Sequence, residues 1–540
     1  MAVPPFRLIR LLSEPKARLL PAFLFVVTRL AALIDLAYSD STLQQLLVLD
    51  SARYEAAARR IAAGEFAFGP GSFSFAPLYA YYLALIHALG GDLPAVYASQ
   101  IVVSGLGVWL LFRIGGAIFG RSRAVLSSSL WCLYGAAGMM ELKVTESTLA
   151  TTLSLCAVFL LLPARGLKLS RFLFAGSLLG LACLARPNTL LLLPLLALWL
   201  ASGGSFRLRT RVTRERLGRV AVFVLGAGLA IAPVSLRNHF SSGGWTLISS
   251  QGGVTFAQGN NSAANGSYAA LDGFSGDPAA QAGEAQRVAS AAQGRPLSEA
   301  EVDRYWYERG WSFLAADPWN ALLLWLKKLA CWLGSDELSM EYVLAAERVV
   351  HPSLWLMPIP FGFLLAATVL GVRRGWLVGK AGLLSCLLGA NVASAVVFFF
   401  ASRYRIECVP ALCLFAAEGA CCALERPARV RLVVAVVVGA LSLSSWSRAY
   451  ELQQASYYYL LGNEYFKDGA RATAVEYYER AVAGRPDDWA IRHNLGEAYG
   501  TIGKYGQAIE QLETALVLDP SRDSTRRALR YYRERVGRGR

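Results

Sequence analysis

The sequence predicts an all-α protein: a polytopic bundle of about eleven transmembrane helices followed by an external pair of helical hairpins. Three observations predict it. Uncharged runs such as Ser147–Ala164, Ser353–Val372 and Ala381–Ala401 reach the roughly 17–25 apolar residues that a bilayer core requires. Basic residues collect in alternate connections between these runs. Beyond Arg448 the apolar runs stop and a repeat of period 34 begins. Only 17% of the chain is charged, against about a quarter in an average soluble domain, and mean hydropathy is +0.39.

In chain order the spans fall near 19–37, 94–119, 124–140, 147–164, 171–185, 187–202, 219–236, 353–372, 380–401, 405–424 and 430–447. Arg7, Arg10, Lys16 and Arg18 lead straight into Leu19–Ala37, which is long enough to be a first span rather than a cleaved leader. With the N-terminus in the cytoplasm, the inside loops hold Arg121/Arg123, Arg165/Lys168/Arg171, the run Arg207-Arg209-Arg211-Arg214-Arg216-Arg219, Arg373/Arg374/Lys380 and Arg426/Arg429/Arg431. The short outside connections hold only Lys143, Arg186, Arg403 and Arg405. The span choice did not use these charges, so their agreement supports it. The odd count places the C-terminus outside, in the periplasm of a bacterium with two membranes. Two long segments, 38–93 and 237–352, then face outward. The first carries amphipathic stretches, Ser51–Ala63 and Pro77–Leu89, expected at the membrane surface. The second is rich in Gly, Ala, Asn and Ser, then helical over Ser298–Ala315 and Trp319–Leu333.

The repeat pairs Leu461-Gly462 with Leu495-Gly496, Tyr465 with Tyr499, Gly469 with Gly503, Ala474 with Ala508, Ala481 with Ala515 and Pro486 with Pro520. This pattern resembles the tetratricopeptide repeat, in which small residues let paired helices approach and the proline ends the second helix. Ser521–Val536 reads as a polar capping helix. The chain therefore divides into a membrane domain, 1–450, and a repeat domain, 453–536. Two repeats fall short of the roughly three needed for independent stability, so the array is expected to lean on the membrane domain.

The formal net charge of +15 is accounted for by basic inside loops, and no basic–aromatic stretch points to nucleic acid. The nine cysteines form no CxxC, and the four histidines, His87, His239, His351 and His493, have no metal-ligand spacing. No glycine-rich phosphate loop follows a strand, which argues against a nucleotide-sugar donor.

The residues able to carry chemistry gather at the outer face. Asp50 lies just beyond the first span, where it is also a good N-cap for the helix that follows. Glu146 opens the fourth span, a place the helix dipole favours for a carboxylate, with Glu141 a weaker competitor. Arg186, Arg237, Arg403 and Arg405 lie near the same interface, where snorkelling is an ordinary alternative.

The stretch Asp50-x-x-x-Tyr54, Ala58, Ile61, Gly64, Ala76-Pro77-Leu78-Tyr79 resembles the first external loop of membrane glycosyltransferases of the GT-C superfamily, the protein O-mannosyltransferase and lipid A aminoarabinose transferase type. Glu146, Arg186-Pro187, Arg237-Asn238, Gly252-Gly253, Gly259-Asn260-Asn261, Gly266-x-Tyr268 and Arg403-Tyr404-Arg405 continue the resemblance over most of residues 20–450. One departure is Ser51, where the mannosyltransferases have a second acidic residue.

The resemblance implies an inverting transfer of a sugar from a polyprenyl-phosphate donor to a protein, lipid or glycan acceptor at the outer face of the bacterial cytoplasmic membrane. Asp50 and Glu146 would be catalytic, with Asp50 the base that deprotonates the acceptor. The arginines Arg186, Arg237, Arg403 and Arg405 would hold the donor phosphate, for which a guanidinium fork is suited. Tyr54, Gly259, Asn260 and Asn261 would serve the acceptor or a lid formed by 251–268. No cofactor is indicated, and a divalent cation between Asp50 and Glu146 stays open. The repeats offer a surface for a protein partner. Two other classes remain: a transporter of lipid-linked sugars, which calls for ionisable residues at mid-membrane, whereas Glu418 lies near the inner end of its span and can snorkel or pair with Arg426, and a non-catalytic scaffold presenting the repeats.

Overall fold

The computed structural model describes residues 5–39, 47, 49–66, 69, 71–162, 168–204, 213–269, 271–274, 280–337, 342–372, 374–425, 429–444 and 448–538. Of the residues read as basic inside loops, Arg165, Arg207, Arg209, Arg211, Arg373 and Arg426 lie outside these. Among the described residues the regular elements are helices, with an isolated parallel bridge between Tyr134 and Ile359. The expected all-α class is found.

Among the described residues, four helices are long and apolar enough to cross a membrane: Pro15–Tyr38, Leu93–Ile118, Arg214–Ser242 and Ser402–Glu425. Shorter apolar helices, among them Ser147–Leu161, Leu169–Ala185, Pro187–Ala201, Phe361–Leu370 and Ala381–Val397, coincide with other predicted spans. The span expected at 124–140 is not one helix. It stops at Cys132 and restarts at Gly135, giving Arg121–Cys132 and Gly135–Glu141. The Leu133 carbonyl accepts from the Ile359 N–H at 3.1 Å instead of continuing the helical ladder.

The chain forms two compact units. The first comprises Met1–Leu33, Leu49–Asp336 and Ser353–Trp446. One close helix crossing is made by glycines. A Cβ on Gly176 would stand 1.9 Å from the Phe223 carbonyl oxygen, and one on Gly226 would stand 2.1 Å from that of Leu173. Helices Leu169–Ala185 and Arg214–Ser242 therefore meet backbone to backbone, as small-residue interfaces in membranes allow. A second brace is the buried Arg29–Glu141 pair. Arg29 Nη2 and Nε donate to the two Glu141 oxygens at 2.7 and 2.8 Å, and Ser104 Oγ donates to Oε1 at 2.6 Å. Glu141, the weaker acidic candidate, is thus fully engaged.

The amphipathic helices of the first external segment, Asp50–Ala62 and Leu78–Ala88, do not behave as expected. The first buries its apolar face in protein; the second buries part of its surface and leaves Leu85, and Leu89 just after it, exposed. Tyr54, Ala57, Ala58 and Ile61 on the first, and Tyr79, Ala80, Leu83 and Ala84 on the second, are all buried. Tyr54 packs edge-on against Tyr79, ring centroids 5.0 Å apart.

The second unit comprises Ile34–Val48, Glu337–Pro352 and Ser447–Arg540. Its helices Arg448–Lys467, Arg471–Gly484, Trp489–Thr501 and Tyr505–Leu518 are the two expected hairpins, and Asp523–Arg538 is the cap. The repeated glycines receive side chains from the partner helix. Gly462 lies under the Tyr478 ring, Gly496 under Leu512 and Gly500 under Tyr532. At the other end, Tyr457 donates to the buried carboxylate of Glu347 and packs near Tyr342. Helix Leu344–Val350, a piece of the second external segment, thus supplies packing that two repeats lack.

Gly226→Ala should part the glycine crossing at a cost of about 1–3 kcal/mol or more. Gly228→Ala, with nothing within 4 Å of the added methyl, should be neutral. The check is the midpoint of thermal unfolding and the monodisperse yield of each variant in the same detergent.

Candidate functional site

Asp50 is the first residue of its helix, and the residue before it is strained. Leu49 has φ 50° and ψ −116°, and it is the one non-glycine with positive φ among the described residues. Such outliers cost of order 1–3 kcal/mol and cluster at functional sites. The sequence reading made Asp50 an N-cap; here Leu49 holds that position without a side-chain cap, so Asp50 is left to another partner. That partner is Arg403, whose Nη2 donates to Asp50 Oδ2 at 2.8 Å. Arg403 is buried, and Asp50 is partly open to solvent.

Arg403 is held from behind. The Arg186 Nη1 donates to the Arg403 carbonyl at 2.8 Å, while its Nη2 donates to Glu146 Oε1 at 2.7 Å and to Ser147 Oγ at 2.7 Å. Tyr404 lies between the two guanidiniums, 5.5 Å from that of Arg186 and 5.2 Å from that of Arg403. Glu146, Arg186, Arg403 and Asp50 therefore form one connected chain, brought together from four separate parts of the sequence. Arg186 also lines a narrow pocket with Thr189, Asn391, Ser394, Tyr404 and Glu407. Thr189 Oγ1 donates to Glu407 Oε1 at 2.6 Å. Tyr404 sat inside the Arg-Tyr-Arg motif that the sequence offered; Glu407 and Asn391 had no signal.

The other predicted residues divide. Tyr54 joins the cluster: burial, then the carboxylates of Glu146 and Asp50, push its phenol well above the usual range, so it stays protonated. Tyr268, from the Gly266-x-Tyr268 motif, is raised likewise by burial and then by Asp50. Of the four arginines expected at a phosphate, only Arg403 faces Asp50. Arg186 is directed at Glu146, Ser147 and the Arg403 carbonyl. Arg237 donates to the Gly71 and Gly69 carbonyls at 2.5 and 2.6 Å and lies over Phe73. Arg405 is fully buried, donates to the Trp332 and Gly334 carbonyls at 2.9 and 2.6 Å, and stacks on Phe361 at 3.6 Å. A buried guanidinium requires such partners; Arg186 and Arg405 find them in the fold, as does the half-buried Arg237.

The stretch expected as a lid is a packed helix, Gly252–Gly259. A Cβ on Gly259 would stand 1.9 Å from the Phe398 carbonyl oxygen. Asn260 is buried, donates to the Phe256 and Val397 carbonyls at 2.8 and 2.9 Å, and accepts from Lys328 Nζ at 2.8 Å. Asn261 caps the same helix through the Ala257 and Gln258 carbonyls. These residues tie the second external segment to the chain that leads into Arg403. Among the described residues no three His, Cys, Asp or Glu side chains converge to hold a metal.

Residues 74–234 match the family model described as dolichyl-phosphate-mannose-protein mannosyltransferase. The resemblance to the membrane glycosyltransferases is borne out. The matched stretch contains Glu146 and Arg186; Asp50, Arg237, Arg403 and Arg405 lie beyond it. Residues 455–488 and 490–522 each match the tetratricopeptide repeat. Among solved structures, the oligosaccharyltransferase of Archaeoglobus fulgidus tethered with an acceptor peptide is similar at 12% identity and a TM-score of 0.42, over 78% of this chain and 54% of that one. ArnT from Cupriavidus metallidurans bound to undecaprenyl phosphate is similar at 11% identity and 0.40, over 91% of this chain and 79% of that one. The chain thus spans about half the length of the archaeal enzyme. No curated protein matches it.

The packed helix at 252–259 has a pH signature. The Asp303 carboxylate accepts from the Gly253 N–H at 2.6 Å, and burial pushes its pKa up to about 6. An unfolded aspartate titrates near 3.9. The folded chain therefore holds a proton that the unfolded chain has released between these values. The resulting stability is present below about pH 4 and is lost as pH rises through 6. Asp303→Asn should raise the unfolding midpoint relative to the parent at pH 7.5, with the gain shrinking at pH 5.

Proposed function

We propose that this protein is an inverting glycosyltransferase that moves a sugar from a polyprenyl-phosphate donor to an acceptor at the outer face of the bacterial cytoplasmic membrane. The single observation that carries the proposal is the Asp50–Arg403 pair, a base and a cation set side by side at a strained corner. Transfer to a hydroxyl needs a base at the acceptor and positive charge at the departing phosphate. Asp50 takes the acceptor proton. Arg403 stabilises the phosphate as the glycosidic bond breaks. Glu146 and Arg186 act through Arg403 as positioning residues, because Arg186 donates to the Arg403 carbonyl and Glu146 accepts from Arg186. Tyr54, protonated, donates to an acceptor or sugar oxygen.

The basic inside loops support a cytoplasmic N-terminus, with Asp50 and the repeats outside. In that reading the repeats bring a protein acceptor or an assembly partner to the same side of the membrane as the site.

Asp50→Asn keeps the side-chain shape and removes the base. Transfer should fall by roughly 10²–10⁴-fold, the usual value of general base catalysis, with expression unchanged. Near-normal turnover by the variant on lipid-linked sugar would end the assignment.

Arg403→Lys keeps the charge and loses the guanidinium fork, so its main effect should be a higher KM for the lipid-linked donor. Arg405→Lys, altering a residue that holds backbone carbonyls, should instead lower the unfolding midpoint. If the two variants shift donor KM equally, Arg403 has no particular place at the phosphate.

A further inference from the structure

The helix Pro318–Leu333 is amphipathic in the wrong sense for a loop in water. Ala321, Leu324, Lys328 and Trp332 form its buried face. The opposite face carries Trp319, Leu322, Leu323, Leu326 and Leu333, from 39% exposed at Leu323 to 67% at Trp319. At 100° per residue these five fall within one stripe, with exposed Lys327 at its rim. The inward face thus holds a fully buried lysine, while the outward face is leucine and tryptophan. Contiguous exposed apolar surface of this kind marks an interaction site.

We propose that this helix lies in the plane of the outer membrane–water interface, with its Trp319–Leu333 face seated in the lipid. Sixteen residues at 1.5 Å each reach about 24 Å, short of a roughly 30 Å core, and Lys327 and Lys328 interrupt the run, so the helix does not span. Apolar face down, charge at the rim and tryptophan at the end are the features of an interfacial helix. Exposed tryptophans also mark both ends of the second external segment, Trp245 near its start and Trp355 just after its end, with Trp311 one helix upstream. Indole rings concentrate at headgroup level. The surface position expected for Ser51–Ala63, whose apolar face is buried, is taken instead by this helix.

The buried face connects the lipid contact to the site. Lys328 Nζ donates to Asn260 Oδ1 at 2.8 Å and to the Val396 carbonyl at 2.9 Å, and the Trp332 carbonyl accepts from Arg405. The bonds to Val396 and Arg405 end on the segment that bears Arg403. A helix resting on lipid therefore sets the height of Arg403 relative to lipid headgroups. This last step rests on the transferase reading above; the docking itself does not.

The test uses the full chain in nanodiscs whose phospholipids are brominated either near the headgroup or near the terminal methyl. Bromine quenches indole emission by contact. The Trp319 contribution is the difference between the parent and Trp319→Phe. Stronger quenching by the shallow bromines is expected. No quenching by either lipid would overturn the proposal and leave the face to a second copy or another protein, and stronger quenching by the deep bromines would overturn the in-plane position. In the functional arm, Leu322→Glu/Leu326→Glu, or the milder Leu323→Gln if the first fails to fold, should raise the KM for the lipid-linked donor about threefold to tenfold while kcat stays. Intact shallow quenching with no transfer by any form of the chain would sink the transferase reading and leave the docking standing.

Discussion

The ion pair between Glu146 and Arg186 is the constraint on which the site depends. Arg186 is buried, and a buried guanidinium is costly unless its donors are satisfied. Glu146 and Ser147 take one side of the fork; the Arg403 carbonyl takes the other. That last bond is to backbone, so it fixes where the main chain runs rather than which side chain it bears. Arg403 then has its guanidinium in reach of Asp50, more than 350 residues away in the chain. Losing Glu146 would leave Arg186 with an unbalanced charge and loosen the Arg403 backbone together, which is why neither residue is read as an independent catalytic group.

The same logic recurs in the rest of the bundle. Arg29 is matched by Glu141 and Ser104, Arg405 by two carbonyls and an aromatic face, and Lys328 by an amide oxygen and a carbonyl. Each buried cation bridges elements distant in sequence. Such pairs add little net stability compared with apolar packing, but an unpartnered charge is strongly disfavoured, so they discriminate against misregistered helices. The glycine crossing at Gly176 and Gly226 does the complementary work, bringing two helices close without any polar bond.

How much of this was legible in the sequence differs by kind of signal. Helices and repeats were legible, because periodicity and runs of apolar residues are local. The break at Leu133–Tyr134 was not, since its cause is Ile359, far along the chain. Among the site residues, Asp50, Glu146, Arg186 and Arg403 are assembled as one network, and Tyr54 lies beside it. The packing of Arg237, Arg405 and the 251–268 stretch was not legible. Residue type and nearness to the interface cannot distinguish an arginine aimed at a ligand from one aimed at carbonyls, and a Gly/Asn-rich segment reads as a loop unless one knows that its glycines admit backbone from another segment. Amphipathicity likewise identified helices with two faces but could not say which face meets protein: Asp50–Ala62 turns its apolar side inward, Pro318–Leu333 outward.

The repeat unit is closed at both ends. Helix Leu344–Val350 meets the first hairpin through Glu347 and Tyr457, and Asp523–Arg538 covers the last through Tyr532 over Gly500. Each repeat makes its principal contacts with its neighbours. A duplication of one period between these two lids would preserve every terminal contact, whereas growth beyond Arg538 would have to displace the cap. Insertion of whole hairpins between the two lids is therefore the change in array length that keeps both terminal contacts.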